Sequence, residues 1–99
     1  MRPALILYED PAEHEITIAH ISSRIPETLS PCDVLVKRDT PSFKEAGLKY
    51  DSVIKLNKLA TIKDYLIEGL LGVADDTLMA QIDAAIEACL KFKGLNASE

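Results

Sequence analysis

Two short stretches concentrate the side chains that could do chemistry. The first is His20-Ile21-Ser22-Ser23-Arg24, which sets an imidazole, two hydroxyls and a guanidinium within five residues. Such groups move protons and hold anionic oxygens. They also fit plain strand-end chemistry: a half-buried histidine with one hydrogen bond, and serines that bond nearby backbone. The second stretch is Gly47–Ile62, GLKYDSVIKLNKLATI, which carries Lys55, Asn57 and Lys58. Ile54 and Leu56 alternate with Lys55 and Asn57, giving one apolar and one polar face. At Asn57-Lys58 the phase flips, and Leu59 and Ile62 are the next apolar positions. A phase change of this kind predicts a bend or bulge, which re-aims side chains. The plainer reading is a half-buried strand with a solvated face.

The elements that must position these residues follow in chain order. Ala4–Tyr8 is continuously apolar, which predicts a strand buried on both faces and central in its sheet. Glu9-Asp10-Pro11 ends it. Ile16–Ser22 reads as a second strand, with Ile16, Ile18 and His20 on one face and Thr17, Ala19 and Ile21 on the other. Asp33–Lys37 is a third strand. Ser42–Ala46 is a single helical turn, with Ser42 as N-cap and Gly47 as its left-handed stop. The Gly47–Ile62 stretch supplies a fourth strand, Lys63-Asp64-Tyr65 a polar turn, and Leu66–Leu71 a fifth strand closed by Gly72. Asp75 then caps a helix whose apolar stripe runs through Leu78, Ile82, Ala85, Ile86, Cys89 and Leu90, with Gly94 as its stop. Residues 1–94 form a single domain and 95–99 a frayed tail. The expected fold is mainly β with α: a small barrel or strongly curved sheet of about five strands, closed by a C-terminal amphipathic helix.

Composition narrows the function classes. With 47% hydrophobic and 27% charged residues the chain reads as an ordinary globular protein. No apolar run approaches the roughly 18–20 residues of a membrane span, and the N-terminus lacks the features of a secretory signal. Net charge is −5, spread as −3 over residues 1–15, +3 over 16–63 and −5 over 64–99. An acidic total argues against indiscriminate nucleic-acid binding, while the basic middle leaves room for a small phosphate-binding surface. Cys32 and Cys89 are too few for a disulfide scaffold and form no CxxC pair, so a reduced cytoplasmic setting is expected, with Cys89 a small core hydrophobe. The glycines are scattered, no GxSxG elbow occurs, and His14 and His20 lie about 20 Å apart along a strand, too far to share a metal. Neither a metal nor another cofactor is expected.

Three pieces in order resemble one family. They are Arg2-Pro3-Ala4-Leu5-Ile6-Leu7; Gly47-Leu48-Lys49-Tyr50-Asp51-Ser52-Val53-Ile54 with Leu59-Ala60-Thr61-Ile62; and Leu66-Ile67 leading to Gly72 and the Asp75–Leu90 helix. Together they resemble the MazF/PemK toxins, which run RPALVL, then Gly-Leu-x-x-Asp-Ser-Val-Val with a Thr-Ile pair, then an Ile-Gly-x-Leu turn into a final helix. The resemblance spans residues 2 to about 92. It implies an SH3-like barrel, a homodimer, and a metal-independent endoribonuclease of the mRNA-interferase type, cleaving single-stranded RNA and controlled by an antitoxin peptide. It assigns Arg2 to the scissile phosphate and Ser22 to the catalytic site. His20, Ser23, Lys55, Asn57 and Lys58 are then the RNA-binding candidates. Attack by the RNA 2′-OH needs proton transfer and stabilisation of phosphate charge, which such groups supply.

Two departures carry consequences. The family has Asp-Gln where this chain has Asn57-Lys58, and an amide cannot accept a proton as a carboxylate does. The family also carries a first strand and a Gly-rich charged loop before its Arg-Pro pair. Here Met1 stands almost at that pair, so either the frame starts internally or the barrel lacks a strand. A missing neighbour would leave Ala4–Tyr8 unpaired, and such an edge invites pairing with another chain. The alternative to an active nuclease is a truncated, non-catalytic relative acting as a dimeric antitoxin- or RNA-binding module.

Overall fold

Strand β1 (Ala4–Asp10) turns back through residues 11–14 into β2 (Glu15–Ser22), the two pairing antiparallel from Asp10↔Glu15 to Ala4↔His20. The hairpin closes on His14, which takes a positive φ of 55° and whose carbonyl accepts from Asp64 N at 2.7 Å. The computed structural model describes residues 2–91, 94, 95, 97 and 98. Strand β3 (Asp33–Val36) and the long β4 (Ser52–Lys63) complete a curled antiparallel sheet in the order β1-β2-β4-β3. Helix α1 (Pro41–Ala46) lies between β3 and β4, a single 3-10 turn covers Asp64–Leu66, and α2 is Asp76–Cys89. The protein is thus mainly β with a C-terminal helix.

The core forms where alternation puts apolar residues on the helix-facing side of the sheet. Ala19, Ile21, Val34, Val36, Ile54 and Leu56 meet Leu78 and Ile82 of α2. Asp75 caps α2 as the sequence predicts, its Oδ1 accepting from Leu78 N at 2.9 Å. Gly47 takes φ 72° at the end of α1, and a Cβ there would collide with the backbone of Leu71.

Five expectations are corrected. β1 is an edge strand, not a central one: its apolar residues are only half-buried, because one side faces an open groove. Leu66–Leu71 is not a fifth strand; among the described residues it joins no ladder. Only Ile67 in it is β-branched, Gly69 interrupts it, and Leu70 is 82% exposed. Thr40, not Ser42, caps α1, its hydroxyl accepting from Phe43 N at 3.4 Å; Ser42 is buried and donates to Asp75 Oδ1 at 2.7 Å. Helix α2 stops at Cys89 rather than running to Gly94, because its apolar stripe ends there and Leu90 is exposed. Phe92 and Lys93, on which the longer helix would fall, and Asn96 and Glu99 of the expected frayed tail lie outside the described residues.

The fifth correction concerns the cysteines. Cys32 and Cys89 are joined by a disulfide, with Cα atoms 5.0 Å apart and a sequence separation of 57. Cys89 is therefore no free core thiol. Separation along the chain concealed the pair; the fold lays the end of α2 across the turn that opens β3. In the chain-entropy account a loop of this length is worth about 4 kcal/mol.

Candidate functional site

The candidate residues converge on the β2–β4 pairing. β2 follows β4 in register from Glu15↔Lys63 to Ala19↔Leu59, and then steps to His20↔Lys55. Leu56, Asn57 and Lys58 are left without partners in β2, so β4 bulges where the sequence shows its phase flip. Leu56 turns into the core and is fully buried, its N–H donating to the Cys32 carbonyl at 2.9 Å. Asn57 and Lys58 stand exposed at the bulge.

His20 and Lys55 are cross-strand partners, with Ala4 of β1 beside His20 and Asp33 of β3 beside Lys55. Paired residues share a face, so these four form one row across the sheet. Lys55 donates from Nζ to Asp33 Oδ1 at 3.0 Å, and Asp33 Oδ2 accepts from Ser30 N at 2.9 Å. The Asp33 side chain is 3% exposed and that of Lys55 20%. The backbone hydrogen bond from Ser30, followed by the Lys55 ammonium, holds the Asp33 carboxyl below its ordinary pKa against the opposing effect of burial. Sequence reasoning passed over Asp33 as the first residue of a strand. The available signal was the turn-forming Ser30-Pro31 pair just before it.

Ser22 lies two residues beyond His20 at the end of β2. Its Oγ accepts from Arg24 N at 3.0 Å, which is the local strand-end bonding that serines favour. Ser23 is exposed next to it. Arg2 is exposed two residues before Ala4, the register partner of His20, and lines the mouth of a separate groove of about 1160 Å³. That groove runs between β1, the 66–74 segment and α2, with Leu5, Leu7, Leu78 and Ile82 among its walls. The fold thus gathers His20, Ser22, Ser23, Lys55, Asn57 and Lys58 at one end of the β2–β4 pair, with Arg2 at the neighbouring end of β1.

Chemically this end of the sheet offers an exposed guanidinium, a half-buried imidazole and hydroxyl, and the exposed amide and ammonium of the bulge. Lys55 contributes differently: its charge is matched by Asp33, so it serves the shape of the site more than its net charge.

The chain matches, over residues 1–90, the family described as PemK-like, MazF-like toxin of type II toxin-antitoxin system. Similar solved structures include a toxin of Mycobacterium tuberculosis at 23% identity, covering 88% of this chain and 90% of that one with a TM-score of 0.71. The Mycobacterium tuberculosis toxin MazF-mt6 is similar at 21% identity, with coverage of 90% and 85% and a TM-score of 0.71. A mycobacterial endoribonuclease solved in complex with its cognate antitoxin is similar at 15% identity, with coverage of 98% and 84% and a TM-score of 0.67. At these identities the likeness establishes the fold. No match was found among curated proteins.

Proposed function

Because this chain belongs to the PemK-like, MazF-like toxin family of type II toxin–antitoxin systems, we propose that it is a metal-independent endoribonuclease that cleaves single-stranded RNA in the cytoplasm and is restrained by an antitoxin peptide. The observation that carries this reading is the bulge in β4, which presents Asn57 and Lys58 beside the His20–Lys55 step where β1 and β2 also end. A single strand laid along that end would meet Lys58 with a phosphate and Asn57 with a base edge. Arg2 would hold two oxygens of the scissile phosphate and stabilise the charge that grows as the 2′-OH attacks. Ser22 lies at the strand end, where its Oγ accepts from Arg24 N and its O–H could donate to the reacting group. The second copy of a homodimer would pair along the free edge of β1.

One observation favours a second reading, a dimeric antitoxin- or RNA-binding module without catalysis. Lys55 is ion-paired with Asp33, and Asn57 supplies no carboxylate where the family has an aspartate. The two readings separate on a chemical test. Incubated with single-stranded RNA, the protein is expected to yield fragments ending in 2′,3′-cyclic phosphate, and to leave the same sequence uncut when every 2′-OH is methylated. RNA retained but never cut would select the binding module.

A further inference from the structure

The Cys32–Cys89 bond joins the end of α2 to the turn that opens β3. Helix α2 buries only Leu78 and Ile82, both in its first half; Ala85, Ile86 and Cys89 in the second half are half-buried. Ala85 and Ile86 still pack against the core, but the second half of α2 buries no side chain fully, and the disulfide ties its end to the sheet. At its other end the bond enters the Ser30–Asp33 turn. That turn donates Ser30 N to Asp33 Oδ2, places Asp33 against Lys55, and offers the Cys32 carbonyl to Leu56 N in the bulge. A single covalent bond thus links the C-terminal half of α2 to both supports of the candidate site. Cys32 and Cys89 are half-buried and flanked by exposed Pro31 and Leu90.

We infer that Cys32–Cys89 is a thiol–disulfide exchange site for a dithiol reductant, and that its redox state sets the order of the α2 end and of the β4 bulge. A thiolate of the dithiol attacks one cysteine sulfur, forming a mixed disulfide and breaking the Cys32–Cys89 bond. The released cysteine thiolate takes up a proton. The second thiol of the dithiol then attacks the mixed disulfide, leaving both cysteines reduced and the dithiol oxidised to a cyclic disulfide. With the bond open, α2 remains docked by Leu78 and Ile82 while residues 83–90 loosen, and the Ser30–Asp33 turn loses its anchor. The link to activity rests on the nuclease reading above; the exchange site does not.

The full chain, isolated without reductant, should take up no maleimide; after dithiothreitol it should take up two, read by intact mass. Amide hydrogen exchange in residues 83–90 should then rise by about tenfold or more, while β2 and residues 52–54 of β4 keep their protection. The double variant Cys32→Ser/Cys89→Ser should show the reduced pattern and ignore dithiothreitol; should it fail to fold, graded reduction of the native chain decides the matter. Two free thiols in the unreduced protein, exchange that is unchanged by reduction, or exchange that rises in every element at once would each overturn the inference. RNA cleavage should be slower in the reduced protein by at least about fivefold. Equal rates would remove the coupling to the site. Cleavage in neither state would sink the nuclease reading, while the thiol and exchange measurements would still judge the exchange site.

Discussion

Asp33 shows how a single buried carboxylate shapes the site. Its two oxygens are taken by Ser30 N and Lys55 Nζ, and its pKa is held below the ordinary value chiefly by the Ser30 hydrogen bond. A lowered carboxylate pKa contributes stability above the ordinary pKa, near 3.9, that is lost as pH falls through the folded value. Wild-type protein is therefore expected to lose stability more steeply below about pH 4 than Asp33→Asn, when urea midpoints are compared across pH. At neutral pH the same substitution should cost about 1–3 kcal/mol, less than a fully buried pair because Lys55 can reach water. A parallel fall of both proteins with pH would remove the assigned role. At this scale the sequence pointed to Ser22, Asn57 and Lys58 as candidates and gave no sign of the Asp33–Lys55 pair. Alternation marks which face a residue takes, and says nothing about which charge on a distant strand will stand opposite.

Among the elements, α1 and the 71–73 segment approach closely. A Cβ at Gly72 would collide with the backbone of Glu45 and Ala46, and Val73 N donates to Glu45 O at 2.8 Å. Gly72→Ala should lower stability by about 2–3 kcal/mol, read as a fall in Tm, because backbone on both sides must shift. Gly69→Ala, with nothing within 4 Å, is the internal control and should leave Tm nearly unchanged. Equal effects would show that the approach is not tight. Asp75 joins two elements by capping α2 and accepting from Ser42, so Asp75→Ala should cost about 1–2 kcal/mol in the same measurement. The sequence made β2, β3, β4, the bulge and the start of α2 legible, because period and caps are local signals. The edge position of β1, the irregular path of Leu66–Leu71 and the disulfide depend on which elements meet in space. An apolar run such as Ala4–Tyr8 looks the same whether a strand or an open groove lies beside it.

At the scale of the molecule, β1 pairs on one side only among the described residues, and an apolar groove lies beside it. Leu70, Leu71, Val73 and Met79 stand exposed around it, each at 52% or more. Exposed apolar surface beside a free strand edge favours association. Multi-angle light scattering is expected to give a dimer mass, with Ala4–Tyr8 amides protected from exchange; a monodisperse monomer would contradict the proposed homodimer. On the proposed nuclease reading, the acidic total, −5, should make RNA binding weak at high salt. The central claim, that this end of the sheet cleaves RNA through a guanidinium on the phosphate, is tested most directly by one comparison. Wild-type protein and Arg2→Ala, purified identically, are given single-stranded RNA in excess EDTA. Cleavage by the wild type, reduced about a hundredfold or more in the variant, is the predicted result; no cleavage by either protein, or equal cleavage by both, would contradict it.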